Sequence, residues 1–182
     1  MGVPKAGAVL SSGKTLFDYV FSAVHGLYLP CVVVGHAEGV DLSGLEDVTV
    51  LPDAVQERGP VGALLGLFLS GLAHHYLVVA CDQPLLNTGL LKRLLVEFDE
   101  RPAVFINPYD ANISPLPGLY PASLSALTEP LLTQPRASLR ELLAQAKART
   151  IPLLHDDWIL LRSANTPEEV RDVDQQISNY SK

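Results

Sequence analysis

The sequence predicts an α/β fold, a Rossmann-like three-layer sandwich built on a mainly parallel sheet. Short apolar runs typical of buried strands alternate with helix-length amphipathic segments along the 182 residues, and this alternation indicates strands joined through helices. The composition, 48% hydrophobic and 18% charged, is typical of a globular chain with a large interior. The sequence has no internal repeat, linker or low-complexity tract, so residues 1–182 are predicted to form one domain.

The individual elements are predicted from apolar periodicity and from helix-start signals. Strands are predicted at 31–35, 48–51, 77–81, 103–106, 150–154 (TIPLL) and 158–161 (WILL). Helices are predicted at 15–28, 60–73, 88–98, 121–133 and 138–147, with a proline-rich passage, SPLPGLYP, between the third and fourth. A last helix is predicted after Asn165, because Thr166, Pro167 and Glu169 have the spacing of an N-cap, a first-turn proline and a capping-box acid.

Charge and composition narrow the function classes. A net charge of −7 and a pI near 5.1 argue against non-specific nucleic-acid binding, which needs a basic face, but they allow a small anion in a local positive pocket. No stretch approaches the roughly 20 apolar residues of a membrane span, and the early apolar stretch ends too soon for a signal peptide. We therefore expect a cytoplasmic protein without membrane contact, with Cys31 and Cys81 as buried, reduced thiols.

The stretch LVVACDQPLL, residues 77–86, places a carboxylate where a buried strand is predicted to end. Ligands of open α/β sheets bind beyond the carboxyl ends of the strands. Asp82 at such an end could hold Mg²⁺ against substrate phosphates, since Mg²⁺ prefers oxygen ligands and takes only one or two from the protein. The alternative is structural: Asp82 caps the helix near residue 88 or marks the exit from the core.

Residues 8–15, AVLSSGKT, match a loose P-loop pattern. A P-loop follows a buried strand directly, so that backbone N–H groups and a helix N-terminus meet the phosphates. Only MGVPKAG precedes this stretch, and Ala8 replaces the strict first glycine. The context predicts an accidental match, and a P-loop NTPase or kinase that uses Lys14 and Thr15 is kept as the alternative enzyme.

Five segments, in order, carry a resemblance that covers nearly the whole chain: MGVPKAGAVLSSGKTLFDYV, LPDAVQERGPVGALLGL, CDQP, SPLPGLYPASL and ANTPEEV. In this order and spacing they resemble the MobA-like nucleotidyltransferases. That family transfers a nucleotide from an NTP and includes molybdenum cofactor guanylyltransferase. The fold that the resemblance implies is that of the nucleotide-diphospho-sugar transferases.

The resemblance implies a role for each matching residue. Lys5 and Asp82 would be catalytic: Asp82 would carry Mg²⁺, and Lys5 would neutralise charge that grows on the phosphates during attack. The implied nucleotide-binding set is Lys5, Asp53, Gly59, Pro60, Gly62 and Asp82, and the implied metal set is Asp82 and Asn165. Each has a structural alternative: Lys5 as a solvated charge, Asp53 as a turn residue, 59–62 as a helix start and Asn165 as part of a cap.

The implied substrates are GTP, favoured weakly over CTP by Gly-Pro-Val-Gly at 59–62, and a pterin-type acceptor phosphate. In-line attack on the α-phosphorus would release pyrophosphate, chemistry that depends on positioning and charge stabilisation. The resemblance also implies transient contact with molybdenum cofactor enzymes or their chaperones.

One part of the family pattern is missing. The Gly-rich phosphate loop and the first strand of the family stand just before the Met-Gly-x-x-Lys signature, and this sequence starts after them. That strand is expected in the middle of a sheet ordered 3-2-1-4, so we expect unpaired strand edges or a gap there. We also expect an upstream start and weak or no transferase activity for the chain as written. The alternatives are that AGAVL, residues 6–10, rearranges to fill part of the gap, or that the chain is a catalytically inert binding domain.

Overall fold

A computed structural model describes residues 5–35, 39–43, 45, 48–55, 58–97 and 99–180. The strands are β1 Cys31–Val34, β2 Val48–Leu51, β3 His75–Val78, β4 Ala103–Ile106, β5 Ile113–Pro121 and β6 Arg149–Pro152. The helices are α1 Leu16–His25, α2 Gly59–Leu69, α3 Thr88–Leu95, α4 Ser125–Leu132, α5 Leu139–Gln145 and α6 Pro167–Tyr180. Short 3-10 helices span Lys5–Gly7, Ala122–Leu124 and His155–Leu161.

The strands form two sheets. β1 and β2 pair in parallel, and the second sheet has the order β3-β5-β4-β6. In that sheet β4 and β6 are parallel, while β5 is antiparallel to both of its neighbours, β3 and β4. Three of the four strands therefore run in one direction. The predicted α/β class with a mainly parallel arrangement is confirmed.

β1 and β3 belong to different sheets and do not pair with each other. Among the described strands, β1 pairs only with β2, and β3 pairs only with β5, so each has an edge without a neighbouring strand. All four residues of β1, Cys-Val-Val-Val, are only half-buried, although this composition is typical of a strand that is buried on both faces. The unpaired edges expected from the family pattern are therefore present in the described part of the chain.

Helices cover both faces of the larger sheet. Val104 and Phe105 are neighbours in β4 and point to opposite faces, as the two-residue period of a strand requires. Val104 is buried in one cluster with side chains of α2, α4 and α5, whereas Phe105 is buried in another with side chains of α3. The helix–sheet–helix layering predicted from the sequence follows from this alternation.

A third cluster joins the two ends of the chain. Leu10 and Leu16 pack there with Leu85, Ala164 and Val173 of α6. At the same place Ser11 donates from its backbone N–H and its hydroxyl to the Asp174 carboxylate, the hydroxyl bond being 2.7 Å long. The segment before α1 is thereby fixed to the last helix.

The predicted start of the last helix is confirmed. The Glu169 backbone N–H donates to the Thr166 hydroxyl over 3.2 Å, and the Thr166 N–H donates to the Glu169 carboxylate over 2.9 Å. These reciprocal bonds form a capping box that satisfies two of the N–H groups left over at a helix start. Pro167 is the first residue of α6, the position where a missing N–H has no cost.

Two local predictions are wrong, and one strand was not predicted. The WILL run, predicted as a strand, lies entirely in the 3-10 helix His155–Leu161, since a four-residue apolar run does not distinguish helix from strand. The passage SPLPGLYP belongs to β5, which its prolines conceal because proline cannot donate to a ladder. Cys81, predicted to be buried, is exposed.

The strand before Asp82 is also shifted. It was predicted at 77–81, but β3 is His75–Val78, paired with β5 from Pro121 to Gly118. Pairing stops there because the next positions along β5 include Pro117 and Pro115, which have no N–H to donate. Asp82 therefore follows the paired strand after a short extension rather than directly.

Candidate active site at the carboxyl ends of the strands

Asp53 lies at the carboxyl ends of β1 and β2. Gly35 follows β1 with a φ of 89° and donates its N–H to the Leu51 carbonyl over 2.9 Å. A Cβ at Gly35 would lie 3.0 Å from Asp53 Oδ1, so the carboxylate lies directly over the glycine backbone. Asp53 Oδ1 is buried and has no hydrogen-bond partner among the described residues, an arrangement that is costly unless a ligand or water satisfies it.

The loop that carries Asp53 packs on the first turns of α2. A Cβ at Gly62 would lie 2.5 Å from the Val55 carbonyl oxygen, and one at Gly66 would lie 3.1 Å from the Pro52 carbonyl oxygen. Only glycine permits this approach of a loop to a helix. The structure therefore brings Asp53 together with the Gly-Pro-Val-Gly stretch at 59–62, and Pro60 takes its place in the first turn of α2.

Asp82 lies beside the segment that leads into α6. Its backbone carbonyl accepts a 2.8 Å hydrogen bond from the Ala164 N–H, which places the adjacent residue, Asn165, at the loop of Asp82. Asn87 caps α3, with its side chain accepting from the Leu90 N–H over 2.8 Å. The capping role that the sequence allowed for Asp82 is therefore filled by Asn87.

The ends of β1, β2 and β3 pack against one hydrophobic cluster. Val34, Leu51 and Val78 are the last residues of these strands, and all three contact the cluster that contains side chains of α2, α4 and α5. The connection from β2 through α2 to β3 is a crossover of the type that joins strands of the same direction. Asp53 and Asp82 therefore both follow carboxyl ends of strands, where ligands of α/β proteins bind.

Lys5 begins the first 3-10 helix, Lys5–Gly7, and its side chain lies outside the described part of the structure. A Cβ at Gly7 would lie 2.4 Å from the Gly39 carbonyl oxygen, so this helix touches the segment that follows β1. Leu10, just after it, packs in the cluster that contains Leu85 and Ala164. The residues that follow Lys5 thus contact the segment after β1 at Gly7 and the cluster of Leu85 and Ala164 at Leu10.

Residues 8–15 form a hairpin rather than a phosphate loop. Val9 and Thr15 make an antiparallel bridge, and the Gly13 N–H closes the turn on the Leu10 carbonyl over 2.9 Å. Thr15 caps α1 in a capping box with Asp18, whose Oδ2 accepts the Thr15 hydroxyl proton over 2.8 Å. A 3-10 helix, not a strand, precedes the hairpin. The P-loop alternative is wrong, because it requires a buried strand directly before the loop.

Gln83 was not identified from the sequence. Its side chain is 4% exposed, and its Nε2 donates to the carbonyls of Leu116 and Leu161 over 3.0 and 2.9 Å. These bonds fix the residue after Asp82 to β5 and to the last 3-10 helix. The one signal in the sequence was the position of this polar residue, two places after the apolar run 77–81. The sequence alone does not show which groups it bonds to.

Glu169, next to the segment of Asn165, and Cys31, at the start of β1, have shifted pKa values. Hydrogen bonds from the backbone N–H groups of Asn165 and Thr166 lower the pKa of Glu169. Burial raises the pKa of the Cys31 thiol, which keeps it protonated and unreactive at neutral pH. The charge of Glu169 therefore helps to hold the backbone at Asn165 in place.

The donors at this end of the sheet suit Mg²⁺. The described residues contain no group of three or more His, Cys, Asp or Glu side chains that could hold a metal. A carboxylate at Asp82 and an amide oxygen at Asn165 are hard donors, and Mg²⁺ bound with phosphates commonly takes one or two such ligands from the protein. The residues therefore fit a magnesium ion shared with a substrate, not one in an all-protein cage.

Two solved structures have the same fold. The molybdopterin-guanine dinucleotide biosynthesis protein A of Archaeoglobus fulgidus superposes with a TM-score of 0.78 at 18% identity, over 98% of this chain and 92% of that one. A nucleotidyl transferase of Methanothermobacter thermautotroptrophicus gives a TM-score of 0.76 at 20% identity, over 97% and 86%. The fold is thus of the nucleotidyltransferase type.

Sequence comparison identifies the family. The model of the MobA-like NTP transferase domain matches residues 1–151, and the chain belongs to that family. It is 20% identical to the "Probable molybdenum cofactor guanylyltransferase" of Flavobacterium johnsoniae, over 94% of this chain and 89% of that protein. It is 25% identical to the protein of the same name from Bacillus cytotoxicus, over 92% and 86%.

Proposed function

We propose that this protein is a Mg²⁺-dependent nucleotidyltransferase that moves GMP from GTP to the phosphate of a molybdopterin-type acceptor. The observation that carries the proposal is the hydrogen bond between the Ala164 N–H and the Asp82 carbonyl. It brings together two family motifs, CDQP and ANTPEEV, that are far apart in the sequence. Membership of the MobA-like family and the two relatives named molybdenum cofactor guanylyltransferase support the choice of guanylyl transfer.

The acceptor phosphate is the nucleophile of the proposed reaction, and its negative charge lets it attack directly. The acceptor phosphate attacks as a dianion, so no proton has to be removed from it. One oxygen bonds to the α-phosphorus of GTP, the bond from that phosphorus to the bridging oxygen breaks, and pyrophosphate leaves. Magnesium, when bound, would supply charge neutralisation at the phosphates.

The chain's own residues would then position the substrates. In this proposal Asp82 and Asn165 hold the metal, Lys5 supplies a fixed positive charge, and Asp53 contacts the nucleotide beside the turn at 59–62. The uncompensated Asp53 Oδ1 supports this role, because an exocyclic or ring N–H of a base would satisfy it. Holding the reactants in line accounts for the largest part of such catalysis.

The partners and the cellular location of the protein are part of the proposed function. The substrates are small molecules, and transient contact with molybdenum cofactor enzymes or their chaperones follows from the product. No helix in the described residues combines the length and the apolarity needed to cross a bilayer. We propose a cytoplasmic location, as the sequence analysis expects.

Two lysine variants test the nucleotide site. In calorimetric titration with GTP and Mg²⁺, Lys5→Ala should weaken binding, whereas Lys14→Ala should leave it unchanged, since Lys14 lies on the hairpin and faces the Tyr19 ring at 5.8 Å. Loss of binding in the Lys14 variant alone would replace this proposal with the P-loop alternative.

The inert-domain alternative needs a turnover measurement. GMP transfer to molybdopterin should be assayed with this chain and with Asp82→Asn. The proposal expects turnover, however slow, in the wild type and its loss in Asp82→Asn. A folded, GTP-binding chain without turnover would identify an inert binding domain.

A further inference from the structure

A second concave site lies next to the candidate active site. It is a cleft of about 310 Å³ between the start of β5, the last 3-10 helix and α5. One wall is residues 112–115, and the other runs from Trp158 to Arg162, with Arg140 of α5 at the rim. The volume is at the low end of the roughly 300–1,000 Å³ of small-molecule sites. It suits one ring system with a phosphate rather than a whole dinucleotide.

Two arginines line the cleft in an otherwise acidic chain. Its only ionisable lining side chains among the described residues are Arg140 and Arg162, whereas the chain as a whole has a net charge of −7. Guanidinium groups present several donors in a fixed plane and bind phosphate oxygens in pairs. Two guanidinium groups without a carboxylate in the lining suit an anionic ligand, with Arg162 also paired to Asp172 outside the lining.

Each of the two guanidinium groups is held by a hydrogen bond and still has N–H donors for a ligand. Arg140 donates one N–H to the Asn112 side-chain oxygen over 2.9 Å. Arg162 donates to Asp172, which lies outside the cleft lining, over 2.8 Å. Each guanidinium has five N–H donors, so these single bonds restrict its rotation and leave other donors for a ligand.

An aromatic surface completes the cleft. Trp158 lines it and is half-buried against the cluster around Leu153 and Leu161. An indole ring that is fixed on one side offers a flat apolar surface on the other, the type of surface on which planar heterocycles stack. Ser114 adds a hydroxyl to the lining.

The cleft is joined to Asp82 by direct hydrogen bonds. Gln83, the next residue, donates to the carbonyls of Leu116 and Leu161, and so connects both walls to the loop of Asp82. Arg162 is two residues from Ala164, which donates to Asp82. Two residues span at most about 7 Å, so the backbone at Arg162 lies close to the loop of Asp82.

We propose that this cleft is the acceptor pocket, in which Arg140 and Arg162 bind a phosphomonoester and Trp158 stacks on the planar heterocycle that carries it. This assignment rests on the proposed function for the identity of the acceptor as a pterin. It adds the residues that select the acceptor, which the nucleotide motifs do not provide.

The chain offers a direct probe, because Trp158 is its only tryptophan. Neopterin monophosphate, a stable pterin with a phosphomonoester, should quench the tryptophan emission with a saturating curve after correction against free tryptophan. Arg140→Ala and Arg162→Ala should each raise its Kd by about tenfold to a hundredfold, the effect of losing a hydrogen bond to a charged group. Arg101→Ala is the matched control, since Arg101 pairs with Asp99 and does not line the cleft.

Three results would overturn the assignment: no saturable quenching, equal affinity for neopterin without the phosphate, or the same quenching by GTP with the same arginine dependence. Arg162→Lys keeps a cation beside Asp172 and can be used if the alanine variant unfolds. The lysine variant should weaken binding less than the alanine variant.

The failure of the pocket assignment can be distinguished from the failure of the proposed function. If the pterin phosphate binds as expected and GMP transfer is absent, the proposed function fails and the pocket remains. If transfer occurs and neither arginine affects binding or transfer, the pocket assignment fails alone.

Discussion

Glu169 shows how one side chain organises the site from outside it. Its carboxylate accepts from the backbone N–H groups of Asn165 and Thr166, at 2.7 and 2.9 Å. Those bonds fix the backbone that connects α6 to the loop of Asp82. A change in the charge of Glu169 should therefore be measurable as a change in stability.

The pH dependence of that contribution has a definite sign. The pKa of Glu169 is lower in the folded chain than its ordinary value of 4.5, so its stabilisation is complete above that value and is lost as the pH falls through the folded-state pKa. We expect Glu169→Gln to lower the melting temperature at neutral pH, with a difference from wild type that shrinks below pH 4.5. A difference that is constant with pH would contradict the assigned role.

At the scale of elements, Thr15 joins the hairpin to α1, and its role as an N-cap can be distinguished from a role in a phosphate loop. As an N-cap it contributes about 1 kcal/mol, so Thr15→Ala should lower the free energy of unfolding by about that amount and leave GTP binding intact. Ser138→Ala is the matched control, since Ser138 caps α5 through the Glu141 N–H far along the chain from the hairpin. If Thr15→Ala alone abolished GTP binding, the hairpin would be a phosphate loop after all.

The contact between α2 and the loop of Asp53 can be tested at Gly62. A Cβ there meets the Val55 carbonyl at 2.5 Å, and backbone cannot move as easily as a flexible side chain. We expect Gly62→Ala to cost about 1–3 kcal/mol, as overpacking does, and to weaken GTP binding by displacing Asp53. Ala63→Gly should lower stability by about 1 kcal/mol through helix propensity alone, with GTP affinity unchanged.

Elements with strong local signals were predictable. α6 begins where its capping-box signal indicates, and α1 begins one residue after its predicted start. β4 has the predicted bounds, because Ala-Val-Phe-Ile is both β-prone and a central strand of the larger sheet. β5 was concealed by its prolines, which lie among its residues despite their missing donors. The bounds of β3 depend on its pairing with β5, information that no local pattern of residues 75–81 contains.

At the scale of the molecule, the site depends on contacts between distant segments. Motifs in the sequence made Asp53, Asp82 and Asn165 candidates, but the bond that brings Ala164 to Asp82 joins residues 82 positions apart (164 − 82). The acceptor cleft was not predictable, since its arginines and Trp158 belong to no motif and meet only through packing. Motifs thus give candidate chemistry, and tertiary contacts select which residues act together.

Residues 1–182 are proposed to unfold as one domain. The clusters on the two faces of the larger sheet share β4, through Val104 and Phe105, so one face should not melt without the other. Urea transitions followed by far-UV circular dichroism and by Trp158 fluorescence should coincide, as two-state behaviour requires. Separate midpoints would indicate that β1 and β2, which form their own sheet, unfold independently.

The central claim is that Asp82 binds a metal held jointly with the triphosphate of GTP. Its most direct test is calorimetric titration of GTP with Mg²⁺ and again with EDTA, on wild type, Asp82→Asn and the control Glu129→Gln, whose side chain is on the exposed part of α4. We predict that Mg²⁺ strengthens binding to wild type and the control by about tenfold or more, the scale of a charge-assisted contact. In Asp82→Asn that gain should be lost; equal enhancement by Mg²⁺ in all three proteins would contradict the account.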